Sequence, residues 1–328
     1  MSSILVTGGT GLIGSFLVET LVRKNDVRCL VMKNTDTKFI DDLGVEFVYG
    51  DITDIKSLKP AVKGVDKVFH LAAAFKKDMP KNPTEDLYFK VNANGTENLL
   101  EVCKQDGVGR VVHFSASGVY GPSSDAPVNE NSEYNPSDSY EKSKCEGEKI
   151  ALKYNETGLP VTIVQPTIVY GPRETSVMLR FFKFIKDRRV MIGNGKNKFN
   201  FVYVTDVVDG AILASKQKNA IGQRYLLGYE KSYPLSEFIK IITDIFQVPS
   251  SKIKVPYFFA KNGAITLGLI CKLMGRTPPI KVSSVNFLAK NHIYNISKAK
   301  RELGYKPKVS LKEGVKITAK WYKDNNLL

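Results

Sequence analysis

The chain opens on an apolar run, Ile4-Leu5-Val6, that stops at a glycine cluster and resumes with helical spacing at Phe16, Leu17, Val18, Leu21 and Val22. Short apolar runs of strand character recur at Asp26 to Lys33, Glu46 to Tyr49, Lys67 to Ala73, Arg110 to Ser115 and Val161 to Gln165, the last stopping at Pro166. Helical patterns lie between them, one through Val91 to Leu100 and another through Tyr140 to Lys149. Strands alternating with helices at this spacing predict an α/β fold, a doubly wound parallel sheet of the Rossmann kind with helices on both faces. Beyond Gln165 the periodicity loosens. An apolar-basic helix is followed by a strand from Asn200 to Val204, after which Thr205-Asp206 reads as a helix N-cap. An amphipathic helix from Leu235 to Phe246, an apolar stretch from Phe258 to Met274 and a last helix from about Leu311 to Lys323 complete the pattern. This divides the chain into a nucleotide-binding domain over residues 1–165, with a returning segment at about 200–225, and a smaller mixed α/β substrate-binding part over 166–328 interleaved with it.

The first strand, the glycine turn and the helix behind it form the context a dinucleotide-binding loop needs. Glycines let the backbone turn tightly and approach a pyrophosphate, and the helix N-terminus offers it unpaired N–H groups and partial positive charge. Contacts to the cofactor are therefore expected at Gly8, Gly11, Leu12, Ile13 and Gly14. Where NAD-binding units usually end their second strand on an acid for the ribose 2′-OH, this chain has Met32 and Lys33. A lysine attracts a 2′-phosphate, so NADP(H) is expected, with NAD the alternative. The fourth run ends in small residues, Leu71-Ala72-Ala73, where backbone can lie against a cofactor.

Composition changes little in this picture. The 328 residues are 43% apolar and 25% charged, as in an ordinary soluble globular protein. A first strand starting near Ser3 leaves no room for a leader, and a cytoplasmic protein is expected. Four scattered cysteines and three histidines make a metal site an unpromising expectation. The net charge of +15 is spread along the chain rather than gathered in a stripe with aromatic partners, so nucleic acid is not an expected partner. A solvated lysine surface is the first explanation, and attraction of an anionic cofactor, substrate or membrane surface the second. The run from Phe258 to Met274 is interrupted by Lys261 and Lys272 and is shorter than a membrane span of about 20 residues. It is expected to cover a pocket, with a core helix or a peripheral membrane contact as alternatives.

Tyr140 and Lys144 lie one helical turn apart and share a face. The same spacing occurs at Tyr257/Lys261 and Tyr294/Lys298, but only the first pair follows the fifth strand, on a helix that passes the nicotinamide end of a bound dinucleotide. A phenol of pKa about 10 is a poor base at neutral pH. An ammonium roughly 6 Å away at an effective dielectric near 20 contributes about 3 kcal/mol, roughly two pKa units. Tyr140 is thus the candidate acid/base for exchanging a proton with an alcohol or carbonyl while hydride moves at the cofactor.

These residues resemble the extended short-chain dehydrogenase/reductase family, also called the NAD-dependent epimerase/dehydratase family. The likeness spans essentially the whole chain and rests on Thr7-Gly8-x-x-Gly11-x-x-Gly14, Gly50-Asp51, His70-Leu71-Ala72-Ala73, Asn92-x-x-Gly95-Thr96, Val119-Tyr120-Gly121, Tyr140-x-x-x-Lys144, Gln165-Pro166, Val169-Tyr170-Gly171-Pro172-Arg173 and the Lys298 to Pro307 segment. The resemblance implies that Asp51 and Ile52 flank the adenine and that Ala72 and Ala73 line the pyrophosphate side, with Leu71 among the cofactor contacts. It further implies that Asn92 and Lys144 reach the nicotinamide ribose, that Pro166 and Val169 are among the cofactor contacts, and that two copies dimerise through a bundle including the Tyr140 helix.

Two positions depart from the family pattern. The usual catalytic Ser or Thr, three residues before the Val of Val-Tyr-Gly, is Ala116, flanked by Ser115 and Ser117. Ser117 is the expected substitute and Ser115 the second choice. The arginine that nucleotide-sugar epimerases carry for the diphosphate falls near Phe199, and phenylalanine offers no fork for it. This points to the dihydroflavonol-reductase-like and 3β-hydroxysteroid-dehydrogenase-like branches. The expectation is an NAD(P)-dependent oxidoreductase acting on a small or apolar substrate. A nucleotide-sugar epimerase or dehydratase is the first alternative, and a non-catalytic NADP-binding sensor or scaffold the second.

Overall fold

The first half of the chain runs β1 (Ser3–Thr7), α1 (Leu12–Leu21), β2 (Asp26–Val31), β3 (Glu46–Tyr49), α2 (Ile55–Val62), β4 (Lys67–His70), α3 (Glu85–Phe89), a π-helical segment (Lys90–Asn94), α4 (Gly95–Gln105), β5 (Arg110–Phe114), α5 (Ser139–Glu156) and β6 (Val161–Pro166). The second half runs β7 (Ile168–Tyr170), α6 (Val177–Arg188), β8 (Val190–Ile192), β9 (Lys198–Phe199), β10 (Phe201–Tyr203), α7 (Val204–Lys216), β11 (Arg224–Leu227), β12 (Tyr233–Pro234), α8 (Leu235–Phe246), β13 (Ile253–Val255), α9 (Tyr257–Leu273), α10 (Val282–Leu288), α11 (Ser297–Leu303) and α12 (Leu311–Asp324). This computed structural model describes residues 2–75, 84–188, 190–249, 253–275, 278 and 282–328.

Seven parallel strands form the central sheet in the order β11-β6-β5-β4-β1-β2-β3. Alternate residues of each strand face opposite layers. Ile4 and Val6 of β1, with Val112 and Phe114 of β5, join the core under α1, α7 and α11. Leu5 and Val111 point the other way, into the core under α2, α4 and α5. The helices cover both faces, as the run of buried apolar strands required. A third, aromatic core lies outside the sheet, where Tyr170, Phe182, Phe201, Phe238 and Tyr322 pack together. The face-to-face contact of Phe201 and Phe238 has ring centroids 4.2 Å apart.

Several elements differ from the sequence reading. Strand β2 stops at Val31 and β4 at His70, leaving Met32, Lys33 and Leu71 to Ala73 in the connections beyond them. The strand expected at Asn200 to Val204 is shorter and pairs with β7 rather than with the main sheet, whose edge is taken by β11. Thr205-Asp206 is not the N-cap of the following helix. Helix α7 begins one residue earlier, at Val204 behind Tyr203, and the Asp206 carboxylate accepts the backbone N–H groups of Lys308 (2.8 Å) and Val309 (3.1 Å). The acid is occupied by a connecting segment 102 residues away in sequence, a partner that local spacing cannot reveal. The helix expected from Val91 starts at Glu85 and passes through the π segment, a local underwinding often found at functional sites.

Candidate active site

In a parallel sheet the carboxyl ends of all strands meet at one edge, and ligands bind there. At that edge β1 runs into a loop whose glycines are required by contact. Gly8 has φ +71°, and a Cβ on it would lie 2.6 Å from the Ala72 nitrogen. A Cβ on Gly14 would lie 2.1 Å from the Gly8 carbonyl oxygen. The loop is thus pressed both onto the segment after β4 and onto its own helix. Gly11 sits at the N-cap of α1 and supplies no side-chain cap, so first-turn N–H groups around Leu12 and Ile13 are left for an anion. Thr7 Oγ1 accepts from the Ala72 N–H (3.2 Å) and pairs with His70 Nδ1 (2.8 Å), fixing the β1 and β4 ends together.

The other expected cofactor residues line the same edge. Met32 and Lys33 follow β2 and are exposed. Asp51 follows β3, its Oδ1 accepting from the Thr53 N–H (2.8 Å), and the buried Ile52 is held through its carbonyl by Asn98 Nδ2 (3.0 Å). Leu71, Ala72 and Ala73 are half-buried after β4, Pro166 is buried at the end of β6, and Val169 is half-buried in β7. Asn92 has a different setting from the one the resemblance implies. Its Oδ1 accepts from the Ala74 N–H (2.7 Å), and its Nδ2 donates to Ser143 Oγ (2.9 Å) and the Ala74 carbonyl (3.3 Å). The amide clamps the segment after β4 to α5.

Helix α5 is started by Asp138, whose carboxylate accepts from the Glu141 N–H (2.9 Å). It crosses the carboxyl end of β5, where the buried Lys144 ammonium donates to the Phe114 carbonyl. Burial pushes this amine down to about 8, with Glu148 opposing. Tyr140, one turn earlier, is half-buried with its ring edge-on to Phe75 (5.1 Å) and Tyr88 (6.3 Å). Its phenol is pushed above the ordinary value, chiefly by burial and then by the Asp138 and Glu141 carboxylates. This differs from the expectation that Lys144 lowers it: the ammonium is engaged by the Phe114 backbone carbonyl, and burial with the two carboxylates sets the direction of the shift.

Ala116 is followed by a 3₁₀ turn, Ser117–Tyr120. Ser117 is buried and hydrogen-bonded to the phenol of Tyr294. Ser115 is also buried, and its hydroxyl has no partner among the described residues. Val111, His113 and Ser115 share one face of β5 and its extension, the face covered by α5. His113 and His70 lie behind Lys144 with ring centroids 5.2 Å apart, and burial holds both imidazoles below their ordinary pKa.

Sequence reasoning missed a buried network around Glu148, one turn beyond Lys144. Its carboxylate accepts from Gln165 Nε2 (3.0 Å) and the Tyr134 hydroxyl (2.6 Å), with Arg224 at 3.7 Å. The only available signal was Gln165-Pro166, since Tyr134 and Arg224 come from a loop and from β11. Phe199 is buried between the rings of Phe201, Phe287 and His292. No group of three or more potential metal ligands occurs among the described residues.

A doubly wound sheet with an uncapped glycine loop at its carboxyl edge defines a dinucleotide-binding protein. Residues 4–228 match the NAD dependent epimerase/dehydratase family, and the chain belongs to it, as one of the extended short-chain dehydrogenases/reductases. It is 29% identical over 339 residues to the bovine (Bos taurus) sterol-4-alpha-carboxylate 3-dehydrogenase, decarboxylating, covering 96% of this chain and 91% of that protein. The identity to the Arabidopsis thaliana 3beta-hydroxysteroid-dehydrogenase/decarboxylase isoform 1 is also 29%, over 346 residues, covering 96% and 78%. The fold superposes on a UDP-glucuronic acid 4-epimerase from Bacillus cereus, crystallised with NAD, with a TM-score of 0.77 and 26% identity over 98% of this chain and 99% of that one. The expected family and its steroid-dehydrogenase-like branch are borne out.

Proposed function

We propose that this enzyme interconverts a hydroxyl and a carbonyl on an apolar substrate, using NADP(H) in preference to NAD(H). The observation that carries the reading is the seating of α5 across the end of β5, with Lys144 fixed on Phe114 and Tyr140 one turn away between aromatic rings. The residues present fit a dinucleotide: Gly8 and Gly14 leave no room for a Cβ, and the first turn of α1 is uncapped. When bound, the nicotinamide supplies or accepts the hydride. Tyr140 gives its phenolic proton to the carbonyl oxygen in reduction and takes it back in oxidation. Lys144 holds positive charge beneath the ribose side at neutral pH, since its pKa of about 8 keeps the amine mostly protonated there. Ser117, buried beside Tyr294, orients the reacting oxygen, with Ser115 the rival hydroxyl. Gly8, Gly11, Leu12, Ile13 and Gly14 take the pyrophosphate, Asp51 and Ile52 the adenine, and Lys33, exposed at the end of β2, a 2′-phosphate.

The sterol-directed names of two relatives support an apolar ring alcohol or ketone as the substrate class. The epimerase alternative finds little support at Phe199, which is stacked among aromatic rings where the diphosphate arginine would stand. We place the enzyme in a reducing cytoplasm, in keeping with four free buried cysteines, and as a homodimer through the α5 face. The test is Tyr140→Phe, assayed with NADPH on a panel of apolar ketones that includes 3-ketosteroids. The rate should fall by about 10²–10⁴ while NADPH binding stays within roughly twofold. Full-rate turnover by the variant would overturn the mechanism.

A further inference from the structure

Helix α9 is built inside out. Its small residues Ala260, Ala264 and Cys271, at helical spacing, face the protein, with Ala260 and Ala264 packed toward Ile192 and Val285. Its large apolar residues face solvent: Phe258 is 68% exposed, Phe259 66%, Leu269 60% and Leu273 89%. A surface helix ordinarily buries such residues, and a contiguous exposed apolar face marks an interaction site. The charge around it is one-sided. From Gln247 to Lys290 the chain has no Asp or Glu and seven Lys and Arg. Lys254 just before α9 and Lys290 just after α10 are exposed, and Lys261 lies on the flank of α9 over the Tyr257 ring.

We propose that this face of α9 seats the enzyme on the surface of an anionic phospholipid bilayer. Apolar side chains entering the acyl boundary beside lysines at the headgroups is the arrangement of an interfacial helix. With 17 residues the helix is roughly 25 Å long, short of a hydrocarbon core of about 30 Å, and among the described residues no helix is long and apolar enough to cross a membrane. A second copy is the poorer occupant, because it would bring the same acid-free basic segment, on a chain of net charge +15, against this one.

The experiment is co-sedimentation of the full chain with vesicles of phosphatidylcholine alone or of phosphatidylcholine with phosphatidylserine, over a range of NaCl. Binding should need phosphatidylserine and weaken with salt. Replacing Phe258, Phe259 and Leu269 together by Ser should lower it about tenfold or more, and so should Lys254→Glu with Lys290→Glu. Neither variant should alter the thermal midpoint or NADPH binding, which shows that the chain is still folded. The proposal is overturned by absence of binding to both vesicles, or by equal, salt-insensitive binding to both. Sedimentation showing a dimer that the apolar variant splits would instead assign the face to a second copy.

Discussion

At the residue scale, Tyr140 and Lys144 illustrate two effects of opposite sign on one site. Burial drives the Lys144 amine down and, with the two carboxylates at the start of α5, the Tyr140 phenol up, so the phenol stays protonated through the neutral range. Reduction consumes that proton and oxidation requires its prior loss. The reductive rate should therefore stay flat between roughly pH 6 and 7, while the oxidative rate rises with pH over the same interval. Steady-state pH profiles in both directions check this, and an oxidative rate that is flat or falls with pH would mean that Tyr140 is not the base. Ser115 and Ser117 show why the hydroxyl donor was hard to read from sequence. Two hydroxyls flank the expected position, one held by Tyr294 and one with no partner among the described residues, and residue type alone does not distinguish them.

At the element scale, close approach rather than propensity sets the geometry of α5. Gly147 lets the helix sit directly on the π segment, since a Cβ there would lie 2.4 Å from the Asn92 carbonyl oxygen. Both neighbours are backbone-bearing helical turns, so neither yields cheaply. Gly147→Ala should lower stability by about 1–3 kcal/mol in urea unfolding. It should also raise the KM for the cofactor, because α5 carries Tyr140 and Lys144 away from the sheet edge. Unchanged stability and KM would show that the two elements have slack.

The parallel sheet was legible because strands buried on both faces read as continuous apolar runs, and the loop because Gly8 and Gly14 have steric reasons to be glycine. Helix α8 matches its periodicity from Leu235 to Phe246. What was hidden depends on distant partners. Asp206 meets Lys308 and Val309, Glu148 meets side chains from β6, β11 and a loop, and the apolar spacing of α9 does not say which of its faces the protein covers.

At the scale of the whole molecule, all three histidines of the chain are buried. Burial holds His70 down at about 3 and His292 at about 4. In the unfolded chain a histidine titrates near 6.5. Between these values the unfolded state binds more protons, so stability is complete above about pH 6.5 and declines as the pH falls toward the folded values. Each such histidine should withdraw about 2 kcal/mol between pH 6.5 and 5. Urea midpoints at several pH values check this, and His292→Gln should flatten the decline. A midpoint that holds from pH 7.5 to 5 would contradict the neutral, buried state.

In the proposed function the cofactor is exchanged at each turnover as a redox substrate, and Lys33 is proposed to hold its 2′-phosphate. The most direct measurement is a nicotinamide-fluorescence titration of the purified protein with NADPH and NADH, made after assaying any nucleotide it already carries. Exchangeable binding, about tenfold tighter for NADPH and losing that preference in Lys33→Glu, is the predicted result. Copurified NAD that does not exchange would contradict the claim and turn the assignment toward nucleotide-sugar epimerisation.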